Sequence, residues 1–228
     1  MQLRDEKQSM RREVALLKKG YSPEALRRFS VRIQQRVEQL PLFQQARRIA
    51  FYHALPDEVH TADFIEKWRR KKQILLPVVN GDTFSLQPYT ENSALRKGAF
   101  DIMEPVARQN TAPCDADLII VPGMAFDRQL NRLGRGKGYY DRFLSEHPAP
   151  AIGICFQFQL FDRIPTDSHD RKMTLVVTEE ETKELRIEKA FFDRCSSVLR
   201  VLFDDPSTWL RHRFDDPSTM YRIMSHLT

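Results

Sequence analysis

Cysteine is sparse in this chain. Cys114, Cys155 and Cys195 are the only three, and they form no Cys-x-x-Cys pair and no Cys/His ligand spacing. That argues against a disulfide framework and a zinc site, and it fits a reducing, cytoplasmic setting. Long apolar runs are missing as well, whereas a membrane-spanning helix needs about 20 successive apolar residues. The first residues, Met-Gln-Leu-Arg-Asp-Glu-Lys, carry charge where a secretory signal needs an apolar core. Charge is not one-sided: 36 Lys and Arg stand against 31 Asp and Glu, a net +5 with a pI near 9.2. This mild excess favours anionic ligands and does not by itself argue for nucleic acid. Its clusters, Arg27-Arg28, Arg47-Arg48 and Arg69-Arg70-Lys71-Lys72, read as solvated helix faces. There is no Gly-x-Ser-x-Gly elbow, and His53, His60, His147, His212 and His226 show no metal-ligand pattern. Glycine is scarce, with eight residues in 228, and three of them fall within 134–138.

What is present suits one domain of fair size with a full core. Hydrophobic residues make up 41% and charged residues 29%, ordinary values for a water-soluble globule. Residues 5–19 have a helical pattern with Met10, Val14 and Leu17 as the apolar stripe. Ser22-Pro23 opens a second helix that runs to about Leu40 and ends before Pro41. Thr61 is the expected cap of a helix reaching about Arg70. Strands are expected at 48–53, 73–79, 117–121, 151–155 and 173–178. Asn80-Gly81-Asp82 predicts a hairpin turn into 83–89. Apolar, β-branched strands separated by helical stretches predict an α/β fold with a mainly parallel sheet.

The most informative stretch is Asn-Arg-Leu-Gly-Arg-Gly-Lys-Gly-Tyr-Tyr-Asp at 131–141. Gly134, Gly136 and Gly138 bare the backbone, and Arg135 and Lys137 supply charge between them. Successive backbone N–H groups in such a loop form a concave anion site, and the following residues read as a helix start. Asp141 sits in that first turn, where a carboxylate is favoured and can hold Mg²⁺ beside a phosphate. The Lys lies between glycines with no Ser or Thr after it, unlike a Walker A loop. In a doubly wound sheet, ligands bind beyond the carboxyl ends of the strands, and this loop follows the 117–121 strand. Near the N-terminus, Lys7 and Arg11 are four apart and share one helix face.

Together with Val-Pro-Gly-Met-Ala-Phe-Asp at 121–127, this stretch closely resembles the signature of the 5-formyltetrahydrofolate cyclo-ligases, also called methenyltetrahydrofolate synthetases. The resemblance runs in order and spacing to about residue 180. It implies a three-layer α/β/α fold similar to the NagB/RpiA/CoA-transferase type. It also implies ATP- and Mg²⁺-dependent closure of 5-formyltetrahydrofolate to the 5,10-methenyl form. Lys7, Arg11, Arg132, Gly134, Arg135, Gly136, Lys137, Gly138 and Tyr140 are then the ATP-binding residues. Arg135, Lys137 and Tyr139 border the formyl group and carry the chemistry. Glu58, in an Asp-Glu-x-x-Thr setting, takes the pterin edge, and Phe100 packs beside the ring or in the core. Asp141 and Asp170 hold the metal, Asp170 ending an Ile-Pro-x-x-x-x-Asp loop, with His169 a loop residue beside the site. A non-catalytic nucleotide-binding module on the same fold is the alternative.

Beyond this comes a departure. Phe-Asp-Asp-Pro-Ser-Thr occurs at 203–208 and again at 214–219, each copy reading as a capped helix start. The expected division is a cyclo-ligase domain at 1–185 and an extension at 186–228. The expected partner is the folate substrate, with or without a polyglutamate tail; neither nucleic acid nor membrane is expected. The chain is expected to be a monomer, with the extension as the candidate for self-association.

Overall fold

The computed structural model of the chain describes residues 2–93, 95–97, 103–105 and 115–184, which lie in one compact unit, Met1–Glu184. Cys114, Cys195, Phe100 and the repeated tail segments lie outside the described residues.

A seven-stranded sheet organises the unit. Its central strands are β1 (Arg48–Ala50), β2 (Gln73–Asn80), β6 (Leu118–Val121), β9 (Ala151–Ile154) and β11 (Leu175–Val177). They pair parallel in the spatial order β11-β9-β6-β1-β2. Antiparallel strands β3 (Thr83–Tyr89) and β12 (Thr182–Glu184) close the two edges. The expected hairpin at Asn80-Gly81-Asp82 is present, and Gly81 supplies its positive φ of 62°.

Both faces of this sheet are covered, which is why its strands read as near-continuous apolar runs. Ile49, Phe51, Ile74, Leu76, Leu118, Ile120, Ile152, Ile154 and Val177 face one cluster. Helices α2 (Pro23–Gln39), α3 (Pro41–Gln45) and α4 (Ala62–Trp68) pack there through Leu26, Ile33, Val37, Phe43, Phe64 and Ile65. The alternate residues Ala50, Leu75, Ile119, Val121, Ala151 and Val176 face the other cluster. It is completed by Phe143 of α5 (Tyr139–Glu146) and Phe126 of a small second sheet. This is the expected three-layer arrangement with a mainly parallel sheet.

Local signals explain the helix ends. The Ser22 hydroxyl accepts from Ala25 N at 3.2 Å, with Pro23 in the first turn. Leu40 is extended, as a residue before proline prefers. Pro41 then opens α3, which the sequence pattern did not reveal.

Three expectations need correction. Thr61 stands at the N-cap of α4 as expected, but its hydroxyl makes no capping bond and donates instead to the Tyr52 carbonyl at 2.6 Å. The strand at 48–53 stops at Ala50, which sends Tyr52 and His53 toward the cleft described below. On α1 (Gln2–Lys18), Leu17 is 40% exposed while Lys18 is buried, so a cation takes the place expected for the stripe's last apolar member.

Two strands of a small sheet lie between the 117–121 strand and the glycine-rich loop, where no strand was expected. β7 (Ala125–Asp127) pairs antiparallel with β8 (Arg132–Leu133) and parallel with β10 (Leu160–Phe161). A separate antiparallel pair joins β4 (Leu95–Lys97) to β5 (Met103–Pro105). Asp127 is fully buried and pins the β7–β8 turn. It accepts from Gln129 N and Asn131 N at 2.9 Å each, from Asn131 Nδ2 at 2.8 Å and from Ile164 N at 3.1 Å. Four hydrogen bonds satisfy this buried carboxylate. α1 packs onto the small sheet through Val14, against Met124, Ala125, Leu133 and Ile164. That packing carries the Lys7 and Arg11 face to the glycine-rich loop.

Candidate active site

Beyond the carboxyl ends of β1 and β6 lies a cleft of about 430 Å³. Every site residue expected from the sequence lines it, apart from Phe100, which is outside the described residues. One wall is the 132–141 segment, and Lys7, Arg11 and Asp170 stand beside it. Tyr52, Leu55, Pro77, Val79 and Phe84 add apolar lining. A cationic rim and an apolar slot in one cavity suit a ligand with an anionic part and a flat ring.

The loop's shape follows from its glycines. Gly136 and Gly138 hold φ of 102° and 69°, which residues with a Cβ rarely adopt. Gly138 is the residue from which α5 starts, in the left-handed conformation. Arg11 Nε donates to the Gly134 carbonyl at 2.8 Å and ties the loop to α1. The Arg142 guanidinium donates to the Lys137 carbonyl at 2.8 Å and to the Asp82 carbonyl. The Tyr139 hydroxyl donates to the Gly81 carbonyl at 3.2 Å. These contacts hold the loop against the β2–β3 hairpin and leave Lys137 exposed, with no ion-pair partner among the described residues.

The other cations are engaged. Arg132, only 4% exposed in its side chain, donates to Asp141 Oδ1 at 2.9 Å and lies 5.4 Å from the Tyr140 ring centre. Its Nε is buried with no hydrogen-bond partner among the described residues. Lys7 Nζ donates to Asp170 Oδ2 at 2.6 Å and Asp167 Oδ2 at 2.7 Å. Burial would lower the Lys7 pKa, but its hydrogen bonds to both aspartates outweigh it and hold the ammonium above its ordinary value. Arg135 donates through Nε and Nη2 to Glu58 Oε1, at 3.1 Å each, and through Nη2 to Asp57 Oδ1 at 2.7 Å. Here too burial opposes the charge, and Glu58 and Asp57 overcome it. Desolvation first, and the Glu58 charge second, push the Tyr140 phenol well above its ordinary value, so it stays a neutral hydrogen-bonding group.

Glu58 is buried; its second oxygen accepts from Leu55 N at 3.1 Å. Its carboxylate lines the cleft. Asp141 and Asp170 both line the cleft, and each is neutralised by a cation. Among the described residues, no group of three or more His, Cys, Asp or Glu is placed to hold a metal. Mg²⁺ commonly uses one or two carboxylates and completes its shell with water and substrate phosphates. The two aspartates fit such a phosphate-shared site and not an all-protein cage. His169 is 93% exposed, consistent with a loop residue.

Sequence reasoning missed the apolar lining and the pairing of Arg135 with the 57–58 carboxylates. Tyr52, Pro77, Val79 and Phe84 read as core positions, and nothing local marks the ends of their strands as cleft lining. Among the described residues, no helix is long and apolar enough to cross a membrane.

Known proteins resemble this chain over most of its length. The model of the 5-formyltetrahydrofolate cyclo-ligase family matches residues 3–179. A probable 5-formyltetrahydrofolate cyclo-ligase from Schizosaccharomyces pombe is 31% identical over 66% of this chain and 84% of its own length. The mouse 5-formyltetrahydrofolate cyclo-ligase is 30% identical over 76% of this chain and 94% of its own. The solved structure of 5,10-methenyltetrahydrofolate synthetase from Aquifex aeolicus superposes with a TM-score of 0.72 at 36% identity, covering 79% of this chain and 93% of that one.

Proposed function

The chain belongs to the 5-formyltetrahydrofolate cyclo-ligase family, and from that premise we propose that its cleft closes 5-formyltetrahydrofolate to 5,10-methenyltetrahydrofolate, with ATP converted to ADP and phosphate. The observation that carries this reading is the meeting in one cavity of the glycine-rich cationic loop, Lys7 and Arg11 of α1, and the Glu58 carboxylate.

The chemistry explains the residue types. A formamide oxygen is a poor leaving group. It attacks the γ-phosphorus of ATP, ADP departs, and an N5-iminium phosphate forms. N10 then attacks the activated carbon and loses its proton. Phosphate leaves with the former formyl oxygen, and the amidinium ring remains. The protein's work is to align two substrates and neutralise charge that shifts between phosphoryl oxygens. Backbone N–H groups of 134–138, with Lys7, Arg11, Arg132 and Tyr140, hold the triphosphate. Lys137, unpaired among the described residues, meets the transferring phosphoryl group. Arg135 and Tyr139 border the formyl group. The Glu58 carboxylate accepts the pterin's amino-pyrimidine N–H pair, a charge-assisted, bidentate contact. Asp141 and Asp170 would hold Mg²⁺, which supplies charge neutralisation between the phosphates when bound.

We assign the catalytic domain to residues 1–185 and treat 186–228 as an extension, with a monomer in the reducing cytoplasm as the working state. The test is to mix the protein with 5-formyltetrahydrofolate, Mg²⁺ and ATP, and follow the near-UV band of the methenyl product against an ATP-free control. Growth of the band only with ATP supports the proposal. A flat trace from folded protein that binds ATP overturns it.

A further inference from the structure

The cationic face of α1 does not end at Arg11. Lys18 lies eleven residues beyond Lys7, close to three helical turns, so it returns to the same face. Its side chain is only 7% exposed. Its ammonium donates to the Asp57 carbonyl at 2.7 Å and to Asp57 Oδ2 at 2.9 Å. A buried ammonium persists only when paired in this way. The other oxygen of the same carboxylate, Asp57 Oδ1, accepts from Arg135 Nη2 at 2.7 Å. Asp57 therefore bridges a cation fixed in α1 to the guanidinium at the cleft.

Arg135 has a second hold, on Glu58 Oε1. Both Glu58 oxygens are thus engaged, one by Leu55 N and one by Arg135. A pterin edge with two N–H donors needs that carboxylate, so Arg135 must yield at least part of its hold there when folate binds. Asp57 is then its remaining carboxylate partner among the described residues. The Asp57 side chain is 42% exposed and sits in a loop, so its own orientation depends on Lys18. We propose that Lys18, acting through Asp57, is a positioning residue that keeps Arg135 at the formyl group once the pterin has taken Glu58. The proposal rests on the pterin role given to Glu58 above.

The test is a cycle of Lys18→Met, Asp57→Asn and the double variant, with kcat and both KM values read from methenyl product formation. Lys18→Met keeps the apolar stem and removes the charge. A misplaced reacting group costs up to about 10²-fold per ångström, so each single variant is expected to lose roughly 10- to 10²-fold in kcat. Both KM values should stay within about 3-fold of wild type, which separates lost alignment from lost binding. The double variant should be no slower than the slower single one, because both act on one guanidinium. Wild-type kcat in Lys18→Met, or losses that multiply in the double variant, would overturn the relay. Should Lys18→Met not fold, Asp57→Asn carries the same reading on a half-exposed residue: a kcat loss with KM held supports the relay, and an unchanged kcat overturns it. Failure of the function itself looks different: the wild-type protein would show no ATP-dependent turnover, and the inference would fall with it.

Discussion

Replacing Gly134 with alanine is a sharp steric test of the phosphate site, because it acts on Arg132 without straining the backbone. Gly134 does not hold a positive φ, in contrast to Gly136 and Gly138. A Cβ at Gly134 would lie 2.7 Å from Arg132 Nη1, inside any real contact, so the guanidinium must retreat by about 0.7 Å to reach ordinary packing at 3.4 Å. It has little room, being 4% exposed, paired with Asp141 at 2.9 Å and set against Tyr140. Misplacement of a substrate-contacting group by an ångström costs on the order of 10²-fold, so a shift of this size should cost about 10-fold in kcat/KM for ATP. The folate KM should change much less. Crowding of this kind also destabilises by about 1–3 kcal/mol, or roughly 2–4 °C in Tm per kcal/mol for a chain of this length. Initial rates of methenyl product formation across an ATP titration, with a melting curve beside them, give both quantities. If ATP kinetics stay within about 2-fold of wild type in the folded variant, Arg132 does not touch the triphosphate and its place in the site is wrong.

Lys137→Ala should lower turnover by at least ~10²-fold, on the scale of about 2.7–4 kcal/mol for one lost transition-state donor; near-normal turnover removes it from the chemistry. Glu58→Gln should raise the folate KM more than the ATP KM, and the reverse pattern in steady-state titrations would take it out of the pterin pocket. Asp141→Asn should weaken the Mg²⁺ dependence specifically, and an unchanged Mg²⁺ titration would exclude it from the metal site. The hydrogen bond from Lys183 first, helped by Gln157, pushes the Glu181 carboxyl down to about 2. Because the folded value lies below the unfolded one, its stabilisation is complete above the ordinary value of 4.5 and fades as pH falls toward 2. Denaturant unfolding should therefore show Glu181→Gln less stable than wild type at pH 7, with the gap closing in acid; a pH-independent gap would refute the pairing.

Most of the candidate site was legible because its residues crowd into one segment, 132–141, where cations alternate with glycines ahead of a helix start. Helical spacing put Lys7 and Arg11 on one face, but only the family resemblance pointed that face at a nucleotide. The sheet was legible because β1, β2, β6, β9 and β11 are buried on both faces, so Ile49, Ile74 and Ile120 serve one core while Ala50, Leu75 and Ile119 serve the other. What stayed hidden depends on partners far along the chain. Arg135 meets Glu58 across 77 residues and Lys18 meets Asp57 across 39, and no local pattern encodes either meeting. The strands β7 and β8 are three and two residues long, too short for periodicity to register. The capping bond of Thr61 was not foreseeable either way, because its hydroxyl is drawn to the Tyr52 carbonyl, nine residues back, and away from the free N–H groups of the helix it opens.

The central claim is that the formyl oxygen is phosphorylated in this cleft and departs with the phosphate. It is tested most directly with 5-formyltetrahydrofolate carrying ¹⁸O in the formyl group, turned over with unlabelled ATP. One ¹⁸O is expected in each phosphate released and none in ADP, with phosphate formed in step with the methenyl product. Methenyl product accompanied by unlabelled phosphate would contradict it.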